Sequence, residues 1–230
     1  KTDNPGSSSP TSITIPTTGA GYNYDVDWDN DGIFDDFGIT GNVTHDYGVA
    51  DTVTIRIQGA FPRIYFNNAG DKEKILAIEQ WGDMAWSSMS WAFSGASNLT
   101  YNASDSPDLS LVINMSNMFQ GASTFNGDLN AWDVSGVTNM SFMFAGASTF
   151  NGDLSTWDVS NVIDMGAMFS QASTFNGDLS AWDVSSVTNM SYMFSSARAF
   201  NGDLSAWDVS SVTDMSFMFR FASAFNRDLT

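Results

Sequence analysis

Phe125-Asn126-Gly127-Asp128-Leu129 is the stretch on which the reading of this chain turns, because it comes back. It recurs at Phe150, Phe175 and Phe200, and again at Phe225 with Arg227 in place of the glycine. Trp-Asp-Val-Ser begins at Trp132, Trp157, Trp182 and Trp207, and Met-Phe pairs begin at Met118, Met143, Met168, Met193 and Met218. Every interval is 25 residues. Upstream, Ala92-Phe93-Ser94-Gly95-Ala96-Ser97 and Asp108-Leu109-Ser110 form a degenerate first copy, with Pro107 where a Trp is expected. The last copy stops at Thr230, before its Trp, so the chain reads as an excerpt of a larger protein. A period in the twenties predicts a solenoid, whose units bury their apolar faces only against each other.

Within one copy, residues 135–159, Ser135 is placed to cap a short helix over 137–144. Val137, Met140 and Phe144 fall at i, i+3 and i+7, which would put them on one buried face. Gly146 ends that segment, and Asn151-Gly152 is a strong turn dipeptide. Leu154-x-x-Trp157-x-Val159 then has the spacing of a leucine-rich-repeat strand, with Trp157 and Val159 inward and Thr156, Asp158 and Ser160 outward. Stacked copies predict continuous inner ladders of Phe, Trp, Met and Leu/Val. The Trp and Phe ladders invite a carbohydrate-stacking reading, but their inner positions favour the core.

The unit F-N-G-D-L-S-x-W-D-V-S-x-V-T-x-M-S-x-M-F, over about residues 84–230, resembles the 25-residue repeat of BspA-type leucine-rich-repeat bacterial surface proteins. The resemblance implies a secreted or surface-anchored protein used in adhesion or binding. Pro107 and Arg227 depart from the pattern and touch only the ends of the array.

Residues 1–11 read as a linker. From Ile13 to Phe66 the pattern changes to alternation: Tyr24-x-Val26-x-Trp28, Val53-x-Ile55-x-Ile57 and Ile64-x-Phe66, which predicts a small antiparallel β-sandwich over 12–67. Val26-Asp27-Trp28, Thr44-His45-Asp46-Tyr47 and Thr52-Val53-Thr54-Ile55 resemble the PKD-type immunoglobulin-like domain, although Asp51-Thr52 departs from that family's pattern. The resemblance implies a spacer and a hydrogen-bonding role for His45. Asp71, Ile75, Leu76, Ile78 and Trp81 predict a short amphipathic helix within 68–83 that caps the first repeat. The expected fold is thus mainly β with short helices: a small immunoglobulin-like sandwich followed by a leucine-rich-repeat-like solenoid of one degenerate and about five full copies.

Composition narrows the chemistry. The net charge is −18, and all the acids except Glu73 and Glu79 are Asp. Asp favours turns, caps and cation sites over helix surfaces. The charge opposes phosphate backbones, so nucleic acid is excluded as a partner. There is no Cys and one His, which removes disulfides, thiolate metal sites and Cys nucleophiles, and leaves His45 as the only possible histidine base. No run of membrane-spanning length occurs. The abundance of Asp, Ser, Thr and Asn without Cys fits a location outside a bacterial cell.

Two sets of carboxylates are candidate sites. Asp27-x-Asp29-x-Asp31-Gly32-x-x-Asp35 has the first half of a calcium loop, with oxygens on alternate residues before a Gly. Gly38 stands where an EF-hand has its bidentate Glu, so the expectation is a looser calcium turn or a solvated acidic hairpin. Asp133, Asp158, Asp183 and Asp208 stand at one outward position of successive copies, where like charges repel; they are candidate ligand contacts, or else structural residues bonded to backbone N–H groups of the next copy. A second row, Asp128, Asp153, Asp178, Asp203 and Asp228, is expected to bond backbone N–H groups. Ser196, Arg198, Arg220 and Phe221 break the repeat pattern. The functional expectation is a non-catalytic adhesion or ligand-binding region that presents a repeated face to a surface glycan or protein. The alternative is a stalk spacing another domain from the cell.

Overall fold

A computed structural model describes residues 1–228; the last two residues of the expected solenoid range, 229–230, lie outside the described residues. Among the described residues there are seven short strands: β1 (Ser12–Ile15), β2 (Asn23–Asp27), β3 (Asp36–Ile39), β4 (Val43–Asp46), β5 (Arg56–Ala60), β6 (Ala77–Ile78) and β7 (Thr100–Tyr101). β1 pairs with β4, β2 lies between β3 and β5, and β6 runs parallel to β7. The fold is built of small β-sheets and turns, and no helix occurs among the described residues.

The expected helix-bearing, leucine-rich-repeat-like solenoid is therefore corrected, and hydrogen bonding shows why. In the segment 137–144 the N–H groups of Met140, Phe142 and Phe144 do not turn back to the carbonyl four residues earlier. They donate to Asp164 O, Gly166 O and Met168 O of the next copy, at 2.9 Å each. The N–H groups between them, of Met143, Ala145 and Ala147, close tight turns on Met140 O, Phe142 O and Phe144 O. Alternate donors thus point along the stack and into local turns. The pattern needs a left-handed residue at Phe142 (φ 57°), which an α-helix excludes. Val137, Met140 and Phe144 are buried as their spacing suggested, in a non-helical backbone.

The expected strand is displaced as well. Leu154-x-x-Trp157-x-Val159 consists of turns, with Trp157 N bonded to Leu154 O. The rungs between copies are instead single parallel bridges, Asn114–Asn139–Asp164–Asn189–Asp214. The segment expected as a capping helix follows the same rule. Leu76 O and Ile78 O accept N–H groups from Thr100 and Asn102 of the next copy, so 77–78 is a rung of the ladder.

Aromatic rings fill the stack. Phe119, Phe144, Phe169 and Phe194 lie face to face at 5.7–5.8 Å, and Phe125, Phe150, Phe175 and Phe200 form a parallel row at 5.9–6.0 Å. The two rows touch within each copy, as at Phe144–Phe150, 4.0 Å. The Trp row is buried, and three of its four indoles donate Nε1–H to a carbonyl, Trp157 to Leu129 O, Trp182 to Leu154 O and Trp207 to Leu179 O, all at 3.0 Å, whereas Trp132 meets the Tyr101 hydroxyl at 3.4 Å. Gly152 is required by close approach, because a Cβ there would sit 2.8 Å from Gly127 O. The Asn of each Phe-Asn-Gly extends the coupling: Asn126 Oδ1 accepts Asn151 N, and Asn151 Oδ1 accepts Asn176 N, both at 2.8 Å.

At the other end, two sheets of two and three short strands replace the expected immunoglobulin-like sandwich, which needs about seven strands. Val53 and Ile55 lie outside β5, and Ile64–Phe66 is irregular. Tyr24, Val26, Trp28 and Phe61 are buried, and Phe61 meets Trp86 edge-on at 6.1 Å, so this core continues into the repeats. Residues 1–11 are fastened to the turn at 71–74. The buried Lys74 ammonium donates to Ser8 O, Ser9 O and Ser12 O beside Asp71, whose carboxylate accepts Ser8 N and Thr14 N. His45 stacks on Trp28 at 4.9 Å and meets Tyr47 edge-on.

Trp182→Ala removes a large buried ring and one of the two hydrogen bonds to Leu154 O, which keeps the N–H of Trp157, and is expected to cost about 3–5 kcal/mol. Trp182→Phe, which loses the N–H and part of the ring, should fall between. Chemical denaturation of the three proteins measures both, and an unchanged midpoint for the Ala variant would refute the inward Trp row.

Candidate functional site

The acidic turn between β2 and β3 places three of its four expected residues together. One carboxylate oxygen each of Asp27, Asp29 and Asp35 lies within 4.8 Å of the others, and this group can hold a metal ion. Asp31 is not part of it; its Oδ1 accepts Ile33 N at 2.8 Å and so shapes the loop. Asp27 is buried at the end of β2, where its oxygens accept Asn30 N at 2.6 Å and Gly32 N at 3.0 Å. Burial pushes its pKa up, but N–H donors from Gly32, Asn30, Asp29 and Asp31 more than offset this and hold it below the ordinary value. Asn30 and Gly32 both take left-handed backbone, which curls these N–H groups inward. Asp35 Oδ2 accepts Trp28 N, and Asp36 Oδ2 accepts the Trp28 indole N–H. Trp28 therefore fixes both ends of the loop, while Asp29, exposed, keeps its carboxylate on the solvent side.

On the repeats, Asp133, Asp158, Asp183 and Asp208 are exposed at equivalent positions. Each bonds within its own copy: Oδ1 accepts the N–H of Ser135, Ser160, Ser185 or Ser210 at 3.0–3.1 Å. The hydroxyls of Ser135 and Ser160 add bonds of 2.6 Å. These side-chain and backbone donors hold all four carboxyls below the usual range. For Asp158 the charges of Asp133 and Asp183 act in the opposite, smaller sense. Asp153, Asp178 and Asp203 of the second row likewise close turns on Ser155, Ser180 and Ser205.

One surface escaped the sequence reading. Phe142, Tyr192 and Phe217 are 43%, 38% and 55% exposed, and each holds left-handed backbone (φ 57°, 55° and 57°). They lay inside the segment expected to be helical, where Met140 and Phe144 carried the inward signal. The available clue was Asn117 at the equivalent place, since Asn is the non-glycine residue most at ease there.

The family described as "Mycoplasma protein of unknown function, DUF285" matches residues 87–186 and 154–230. The chain belongs to the DUF285 family. No curated protein and no solved structure matches it. This corrects the resemblance to BspA-type leucine-rich-repeat proteins with a PKD-like segment: the family matched is DUF285, and its two overlapping matches cover the repeats. The DUF285 region includes both Asp rows and the exposed aromatic row, whereas the acidic turn precedes it. Among the described residues no helix is long and apolar enough to cross a membrane.

The Asp rows set an acid limit on stability. A carboxyl with a lowered folded pKa contributes stability that is complete above its unfolded value of 3.8 and is lost as pH falls through the lower folded value. The melting temperature should therefore drop below about pH 4. Asp133→Ala with Asp158→Ala should lower it at neutral pH and flatten the acid limb. Melting curves between neutral and acid pH decide this, and parallel limbs would show that the turns do not depend on the charge.

Proposed function

We infer that this DUF285 chain is a non-catalytic adhesion or ligand-binding region of a bacterial surface protein, working outside the cell on a glycan or protein partner. The observation that carries this reading is the exposed Asp133–Asp158–Asp183–Asp208 row. Backbone donors engage one oxygen of each carboxylate, and each charge stands beside the next. A cationic or calcium-bridged polymer would relieve that repulsion at several copies at once, and weak contacts on a repeated face add by multivalency. The net charge of −18 speaks against nucleic acid as the partner.

Calcium is the ion proposed for Asp27, Asp29 and Asp35. Clustered carboxylate oxygens are hard ligands, and a turn offering water access suits a cation that tolerates variable geometry. Its role would be to pin the β2–β3 loop. Asp29→Asn is the clean probe, because Asp29 accepts only a long bond from Asp31 N, 3.3 Å, within the loop. Calcium at about 1 mM should raise the melting temperature of the natural protein by binding the folded state, and the variant should lose the rise. A flat calorimetric titration would remove calcium from this site.

A second reading, a structural stalk, is favoured by the bond each Asp makes inside its own turn. The two readings separate in Asp158→Asn with Asp183→Asn. An Asn side chain still accepts through its carbonyl oxygen, so the turns survive while two charges go. Under the adhesion reading, capture on a glycan and peptide array probed with and without calcium disappears, while the melting temperature stays within a few degrees. Capture that persists unchanged would take the Asp row out of the binding face.

A further inference from the structure

We propose that the slot between Phe142 and Tyr192 binds a neutral pyranose ring of an oligosaccharide. This site stands apart from the Asp row and does not depend on it. The left-handed position three residues after each rung residue carries exposed Phe142, Tyr192 and Phe217 in three copies, but buried Ala167 in the copy between Phe142 and Tyr192. The missing ring leaves a cleft of about 330 Å³, lined by Ser141, Phe142, Asp164, Ala167, Asn189 and Tyr192 among others.

The aromatic residues are there at a double cost. Large side chains are disfavoured in left-handed backbone, and their apolar faces stand in water. Asn117 at the equivalent place, φ 58°, shows that the fold accepts a polar residue with no aromatic ring. Backbone conformation therefore does not explain Phe142 and Tyr192, and the stack on Phe217 covers only one face of Tyr192; contact with a ligand would account for the ring faces left open.

The geometry sets the ligand class. Tyr192 stacks on Phe217 at 4.9 Å with a 25° tilt, so the opposite face of Tyr192 is turned toward Ala167. The gap to Phe142 is two copies wide, where one copy advances by the 5.7 Å spacing of the inner Phe row. A flat ring in contact with both walls, at about 3.5–4.0 Å from each, leaves slack in such a gap. A puckered sugar ring is thicker and presents C–H groups to both faces. The floor is polar. Asp164 Oδ1 accepts Gly166 N at 2.9 Å and Asn189 Nδ2 at 2.8 Å, and its other oxygen has no hydrogen bond among the described residues, leaving an acceptor for a ring hydroxyl. Gly166, in place of the Ser at 141 and 191, makes this floor possible, since a Cβ there would lie 2.7 Å from Asn189 Nδ2. The acidic net charge selects a neutral sugar over an anionic one.

The test uses linear β-1,4-linked hexasaccharides of glucose, N-acetylglucosamine and galactose, titrated calorimetrically into the whole chain. Binding of at least one is expected. Phe142→Asn with Tyr192→Asn should weaken it at least tenfold while the melting temperature holds or rises, because Asn suits the backbone better. Ala167→Phe should also abolish binding by filling the slot with a ring that continues the row, and this second variant keeps the test valid if the first loses its fold. No heat with any of the three sugars, or affinity unchanged in Ala167→Phe, overturns the proposal. Neither result bears on the Asp158→Asn, Asp183→Asn experiment, so the two surfaces stand or fall separately.

Discussion

Everything in the repeat region depends on where alternate backbone N–H groups go. Met140, Phe142, Phe144 and Gly146 donate to the next copy, and Met143, Ala145 and Ala147 close turns in their own. An isolated copy would leave four donors of this segment without protein partners, and its Phe, Met and Trp side chains in water. Unpaired buried amides cost too much to persist. The copies are therefore coupled twice, by hydrogen bonds and by ring stacking, and stability is shared between neighbours. The array must also be closed at its ends. Trp81, Trp86 and Phe93 close one end against Phe61 and the small sheets, with Trp81 N and Gly82 N held by Asp105.

This constraint explains what the amino-acid pattern revealed and what it hid. The period of 25 residues and the inward set were legible, because burial at Trp157, Met143, Phe144 and Phe150 follows side-chain chemistry whatever the backbone does. The backbone was not legible. A chain of tight turns alternating right- and left-handed residues advances slowly enough to bury i, i+3 and i+7, which is also the mark of a helix. Likewise Leu154-x-x-Trp157-x-Val159 matched a strand by spacing alone, while the rungs fell at Asn139 and Asp164, residues that carry no strand preference. Tertiary hydrogen bonding, absent from any local pattern, decided both.

The acidic turn shows the complementary case. Its Asp spacing was read from sequence, and three of the four residues do converge: Asp27 and Asp29 alternate ahead of Gly32, and the turn returns Asp35 beside them. Asp31 fell out for a local reason: its carboxylate bonds Ile33 N two residues on and becomes part of the scaffold. The same i+2 bond occupies Asp133, Asp158, Asp183 and Asp208. A bound Asp in this protein is first a turn-former, and the preference for Asp over Glu follows, since only the shorter side chain reaches the N–H two residues along.

Under the proposed binding role, that division of labour leaves specificity to other residues. Turn-forming Asp and Ser recur in every copy because the backbone demands them, so they can contribute only uniform, additive contacts. Discrimination requires a place where copies differ, and the left-handed position is one: it holds Asn117, Phe142, Ala167, Tyr192 and Phe217 in successive copies, all with nearly the same φ. The ladder tolerates this variation because the N–H groups of Asn117, Phe142, Ala167 and Tyr192 are all committed to the next copy, while the side chains range from buried Asn117 and Ala167 to exposed Phe142, Tyr192 and Phe217. A rigid ladder with one variable left-handed position per rung is a surface on which ring, gap and charge can be changed copy by copy without disturbing the stack that carries them.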